Sequence, residues 1–491
     1  MPTQYYRSEA RLAAYTREKG EPPTSARTKR KYGQSEAKRA ARPHPAPARA
    51  GRPAPRPLPG PDGRPRPAGG SGVETATLAG ILLFLLGGTW DVAWHIEIGR
   101  DTFWSPPHLL LYTGILIILG ASAAGFVRAW RQGHRSGRRL PGASTVIIAI
   151  GGVLALASGP VDDLWHRLYG LDVTILSPPH IQLIGGVALA AFGALAGFAW
   201  RANRAVPARL ATLWPATRLG ARPWARGETG LYAAAGLLLA LFAGVLSEYD
   251  FDVSRYPVTL HPVLLAGLSA VVLTAAVRAG GRVGGATLTA AVYTLVRLLA
   301  QLELILLTGV RPQIPLLLVA APVLDVALWG LTRLLAFDAE ASHHSDSAEA
   351  SRAALPRHTG RTWLAAPIAG ALYAAALLLV EWPYTTASGT IIWSPSVLAT
   401  AALPAILAGA AGALLGWGLG AALRPLPAIA AQPAAPGPAS AKASRRVPRV
   451  APVRTTARPL VVVALAEVAL LAFWVLPTVA NAGALPSRSS S

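Results

Sequence analysis

From Val73 onward the chain alternates long apolar stretches with short polar breaks, and each stretch approaches the ~20 residues that a helix needs to cross a bilayer. At that length about eleven spans are predicted, near 73–96, 106–130, 143–168, 178–201, 229–248, 260–278, 283–309, 313–336, 362–382, 394–422 and 458–479. Glycine and proline fall inside several of them, which lipid tolerates better than water does. The pattern predicts an all-α fold, a polytopic integral membrane bundle built from repeated helical hairpins.

Residues 1–72 break this pattern. They are rich in Arg, Lys, Pro, Gly and Ala, with runs such as Lys29-Arg30-Lys31, and cannot bury a core, so they are expected to form a disordered basic tail. No apolar segment precedes Val73, so a cleavable signal peptide is not expected. The predicted organisation is this tail, a four-helix unit at 73–205, further transmembrane hairpins at 229–422, a basic Pro/Ala-rich linker at 423–457 and a last helix at 458–480.

Composition sharpens the picture. With 52% hydrophobic and only 14% charged residues, the chain excludes a soluble globular enzyme, in which about 25% would be charged. The net charge of +22 would by itself invite nucleic acid, but beyond the tail the arginines cluster in particular loops. Arg128, Arg131, Arg135, Arg138 and Arg139 follow the second span, Arg201 to Arg226 the fourth, and Arg424 to Arg458 the tenth. Basic residues concentrate in short cytoplasmic loops, so the N-terminus is expected inside and the alternate loops outside, in a bacterial or archaeal plasma membrane, with the lipid bilayer as partner and no nucleic acid. Cysteine is absent and the single methionine is Met1, so any metal must be held by nitrogen and oxygen ligands.

Those ligand types gather at the predicted outer loops, and two of the loops carry one motif written twice. The first reads Asp91, Trp94-His95, Gly99, Asp101 and Ser105-Pro106-Pro107-His108; the second reads Asp162-Asp163, Trp165-His166, Gly170, Asp172 and Ser177-Pro178-Pro179-His180. Corresponding residues are 71 or 72 positions apart. Asp91 and His95 are four apart and share a helix face. Ser105 is placed to cap the next helix with Pro106 at its first position, so His108 falls in its first turn. A packed hairpin then lets Asp91, His95 and His108 converge, and likewise Asp162, His166 and His180, with Asp163 a substitute for Asp162. One carboxylate with two imidazoles and an open position suits copper, zinc or non-haem iron. Asp101 and Asp172 are candidates to orient a histidine.

The segment Asp91-Val-Ala-Trp94-His95-Ile-Glu-Ile-Gly-Arg100-Asp101-Thr102-Phe-Trp-Ser105-Pro106-Pro107-His108 resembles the signature of the C subunit of particulate methane and ammonia monooxygenases, the copper membrane monooxygenases. The resemblance spans about residues 75–200. It implies a copper site at Asp91, His95 and His108 and a second site at Asp162, His166 and His180, with Asp162 where the family carries asparagine. It further implies oxidation of a small apolar substrate with dioxygen, alongside other membrane subunits or in a homo-oligomer.

The later hairpins read as eroded copies. Glu248, Asp250 and Asp252 precede His261-Pro262, a weaker third-site candidate, and Glu381-Trp382 precede Trp393-Ser394-Pro395. Inside the spans, Arg297 and Asp325 each lie at a depth of roughly 18–20 Å from the predicted outer ends of their helices, which predicts a buried ion pair. Glu303 and Glu467 are the alternative partners for Arg297. The same four residues could line a path if the protein moved a metal or another ion, and a scaffold with degenerate sites is the third reading.

Overall fold

The computed structural model describes residues 71–99, 102–136, 140–169, 175–204, 227–343, 362–388 and 391–424. Among them the fold is all-helical: α1 (Gly72–Glu97), α2 (Pro106–Ser136), α3 (Ala143–Tyr169), α4 (Pro178–Arg204), α5 (Glu228–Gly244), α6 (Ser247–Asp250), α7 (Leu260–Gly280), α8 (Gly285–Leu307), α9 (Leu317–His343), α10 (Ala365–Ser388, after one 3-10 turn) and α11 (Pro395–Ala422). Nine of these are long and apolar enough to cross a membrane, and α5 is a shorter apolar helix. This is a multi-pass membrane bundle. The predicted span at 458–479, with Glu467, lies outside the described residues, as do Asp101 and Asp172.

Helix starts follow the predicted chemistry. Ser105, Ser177 and Ser394 each precede a proline that opens a helix; the carbonyls of Ser105 and Ser177 accept from Leu109 and Ile181 N–H, and the Ser394 hydroxyl accepts from Val397 N–H. The proline has no N–H to leave unsatisfied at that position.

Packing is by hairpin: α1 lies along α2, α3 along α4, and α10 along α11, while α7 packs most closely on α11. Two of these contacts are glycine crossings. A Cβ on Gly80 would stand 2.6 Å from the Gly114 carbonyl oxygen, and one on Gly151 would stand 2.4 Å from that of Gly186. The second crossing repeats the first at the same 71- and 72-residue offsets as the polar motif. The core sits around α5, which is apolar on all sides and buried along most of its length between α4, α7, α8 and α1. Such a helix belongs inside a bundle, not on its lipid-facing surface.

At the end of the bundle opposite the duplicated motif, carboxylates tie helices together. Glu74 of α1, buried, meets Arg201 of α4 at 2.8 Å and accepts from the Ser144 hydroxyl of α3. Glu228 of α5 is fully buried and takes Nε and a terminal nitrogen of Arg282 at 3.3 and 3.2 Å.

The predicted pairing of Arg297 with Asp325 is overturned. Arg297 binds Asp250 at 2.5 Å, and Asp325 instead accepts from the N–H groups of Ala286 and Thr287 and from the Thr287 hydroxyl. The reason is residues 309–316, which are not helical. They turn back beside α8, so that the Gln313 carbonyl accepts from Arg297 about ten residues short of the end of α8, some ~15 Å along its axis. Helix α9 therefore starts level with Arg297, and Asp325 lies further along, beside the first turn of α8. There Gly284, which has no side chain to cap that helix, is served by a carboxylate from its neighbour. Neither Glu303 nor Asp325 takes the place of Asp250 at Arg297.

Asp325→Ala should lose about 1–3 kcal/mol, the cost of leaving buried N–H groups without an acceptor, and the loss should simply add to that of an Arg297 substitution. Thermal unfolding of the two single variants and the double variant checks this; strong coupling between them would restore the discarded pair.

Candidate metal centre

The motif's two copies fold alike. In the first, Asp91 and His95 occupy the last two turns of α1 and His108 the first turn of α2. The Gly80–Gly114 crossing brings the two backbones close enough that Asp91 Oδ1 lies 3.2 Å from His108 Nε2 and 3.6 Å from His95 Nδ1. In the second, Asp162 of α3 reaches His166 Nε2 with Oδ2 at 3.5 Å and His180 Nε2 of α4 with Oδ1 at 3.6 Å. The sequence thus brings each predicted trio together.

Backbone carbonyls orient the imidazoles of the first copy. His108 Nδ1 lies 3.2 Å from the Thr102 carbonyl and His95 Nδ1 2.9 Å from the Asp91 carbonyl. A carbonyl only accepts, so in the neutral ring Nδ1 carries the proton and the lone pair is on Nε2. For His108 that lone pair faces Asp91 Oδ1, a buried oxygen that accepts no hydrogen bond among the described residues. Two lone pairs aimed at each other are repulsive unless a proton or a metal ion stands between them. Ligand atoms bound to one tetrahedral ion by bonds of about 2.0–2.2 Å stand about 3.3–3.6 Å apart. The His166–Asp162 and His180–Asp162 separations of 3.5 and 3.6 Å fall in that range, and the His108–Asp91 separation of 3.2 Å lies just below it.

The copies differ in how complete they are. Among the described residues no three such side chains already have their donor atoms arranged to hold a metal ion. In the first copy the shortfall lies with His95, which is 47% exposed and turned toward its own helix through Nδ1, so a change of side-chain rotamer is needed to offer Nε2. In the second copy both imidazoles present Nε2, but to different oxygens of Asp162, so its three donors do not yet converge on one point either.

The other candidates are placed differently. Asp163 does not substitute for Asp162; one residue on from it, Asp163 is turned about 100° around α3 and pairs with Arg167, four residues further on, at 2.6 Å. His261 is buried between Tyr249 and Trp393, and its Nδ1 accepts from the Trp393 indole N–H at 3.3 Å. Its neutral ring then carries the proton on Nε2, so it lacks the lone pair a metal needs. Glu248, from the same eroded copy, accepts from Ile175 N–H and ties that hairpin to the second motif's loop. The Thr102 carbonyl and the two glycine crossings were not anticipated as parts of the site. The glycines were legible, since they recur at the spacing of the motif.

In comparison with known proteins, no protein-family model, no curated protein and no solved structure matches this chain.

Proposed function

We propose that this is a metal-binding membrane protein that holds copper at two repeated sites, Asp91 with His95 and His108, and Asp162 with His166 and His180, and that it is related to the membrane monooxygenase C subunit. The reading rests on one observation: in both copies a single aspartate is flanked by two histidines from the two helices of a hairpin, with Nε2 of His108, His166 and His180 lying 3.2–3.6 Å from a carboxylate oxygen. Zinc and iron suit the same donors less specifically than the resemblance in sequence favours copper.

Bound copper would supply redox chemistry toward dioxygen at its open coordination position. The protein's own groups do the rest. Asp91 and Asp162 balance the ion's charge, and the Thr102 carbonyl fixes the His108 ring so that Nε2 points at the site. The exposed Phe103 and Trp104 beside the first copy give a small apolar substrate an approach from lipid. In this reading the sites face the outer side of the membrane.

Metal analysis of the purified full chain, loaded separately with copper, zinc and iron, tests the proposal. One copper per motif copy is expected, with nitrogen hyperfine structure in the Cu(II) electron paramagnetic resonance spectrum. His166→Ala should remove the second copper and His95→Ala weaken the first, and both together should leave none bound stoichiometrically. Wild type without stoichiometric metal, or a double variant that retains it, would end this reading. Oxygen-dependent turnover by the copper-loaded protein is the further expectation for an enzyme, whereas metal uptake into proteoliposomes would point to transport.

A further inference from the structure

A second polar centre, sharing no residue with the duplicated motif, lies where α6, α8, α10 and the non-helical segment 309–316 meet. Non-helical backbone inside a membrane bundle must have its polar groups satisfied by protein, and here side chains do so. Gln313 N–H donates to the Asp250 carbonyl and its own carbonyl accepts from Arg297. Pro312 accepts from the Gln301 amide, Ile314 N–H donates to the Tyr384 hydroxyl, and Leu316 N–H donates to Glu381 Oε1. The centre is dry by exposure: Asp250 is 1% exposed, Arg297 6%, and Glu381 and Tyr293 0%.

Its charges do not balance. Arg297 is committed to Asp250, and no cation contacts Glu381 among the described residues. The titratable groups around Glu381 are Asp250 from α6, Tyr293 from α8, and Tyr373 and Tyr384 from its own helix; Arg297 of α8 is the positive group nearby, already paired. With both acids ionised, one buried negative charge has no counterpart, a state that low-dielectric surroundings penalise heavily. Among the described residues several polar atoms of the centre also have no hydrogen-bond partner: Glu381 Oε2, Asp250 Oδ1, Tyr293 Oη and Arg297 Nε.

We propose that Glu381 is a proton-binding site, its Oε2 carrying a proton taken up from the bulk aqueous phase, so that it stands as a neutral carboxylic acid beside the charged Asp250–Arg297 pair. The proton is the counter-charge that the centre otherwise lacks. Once protonated, Oε2 is a donor and no longer a buried charged acceptor without a partner among the described residues. The site is independent of copper, because none of these residues belongs to either motif copy.

Infrared spectroscopy of the full chain in detergent at neutral pH tests this. A carboxylic-acid carbonyl stretch is expected that shifts down in deuterated water, disappears in Glu381→Gln and persists in Glu303→Gln. The glutamine is isosteric and keeps the acceptor for Leu316 N–H. Should that variant not be recovered, Glu381→Asp must change the band's frequency. Wild type with no such band, or a band unchanged by either substitution at 381, overturns the proposal. So does a sodium ion retained by wild type through gel filtration and lost in Glu381→Gln, since the counter-charge would then be a metal cation.

Discussion

Asp250→Ala should be among the most destabilising single substitutions in the second half of the protein, because it leaves the Arg297 guanidinium buried without its carboxylate. Removing one partner of a buried ion pair costs about 3–5 kcal/mol, while replacing both partners with apolar groups of similar volume is often neutral. Asp250→Leu combined with Arg297→Met should therefore recover much of what Asp250→Ala loses. Recovery would remain incomplete, for Arg297 also donates to the Gln313 carbonyl and so holds the segment 309–316. Thermal unfolding of the three proteins in one detergent measures the stability terms, and protease sensitivity at 309–316 reports the segment itself. An Asp250→Ala protein that melts with wild type and resists protease equally would show that the pair contributes nothing.

The same pair marks where sequence reasoning stopped. Periodicity and apolar length located ten predicted spans that are helical in the structure, since each depends on residues within one stretch. The duplicated trios were legible for a related reason: a four-residue offset and a Ser-Pro-Pro helix start fix local geometry, and the repeat supplies the hairpin. The partner of Arg297 was not legible. Depth was counted along helices at about 1.5 Å per residue, but 309–316 is not helical and Gln313, six residues past the end of α8, is already back beside Arg297, so Asp325 lies well past the level assigned to it. A signal existed in Pro312 and Pro315, two prolines three residues apart at the start of the predicted span, which disfavour helix there. Nothing local could have chosen Asp250, 47 residues from Arg297, or the role of Glu381.

The glycine crossings join the fold to the candidate site, and if the proposed copper sites exist, these crossings predict that copper can be lost one copy at a time without touching a ligand. Gly151 lies eleven residues before Asp162, and Gly80 lies eleven before Asp91. A valine at either position drives its side chain into the facing carbonyl, where no flexible atom can give way. Overpacking of this kind costs about 1–3 kcal/mol when the backbone yields. The yielding motion is separation of the hairpin's two helices, which moves His180 away from Asp162 or His108 away from Asp91. Gly151→Val should thus reduce copper from one per copy to the first copy's alone, and Gly80→Val should leave only the second's. Gly185→Ala is the control, since a Cβ there meets nothing within 4 Å. The copper stoichiometry of the three variants, each with its melting temperature, decides the matter. Full copper in a Gly151→Val protein whose stability has fallen would show that the crossing serves packing alone and that the trio assembles without it.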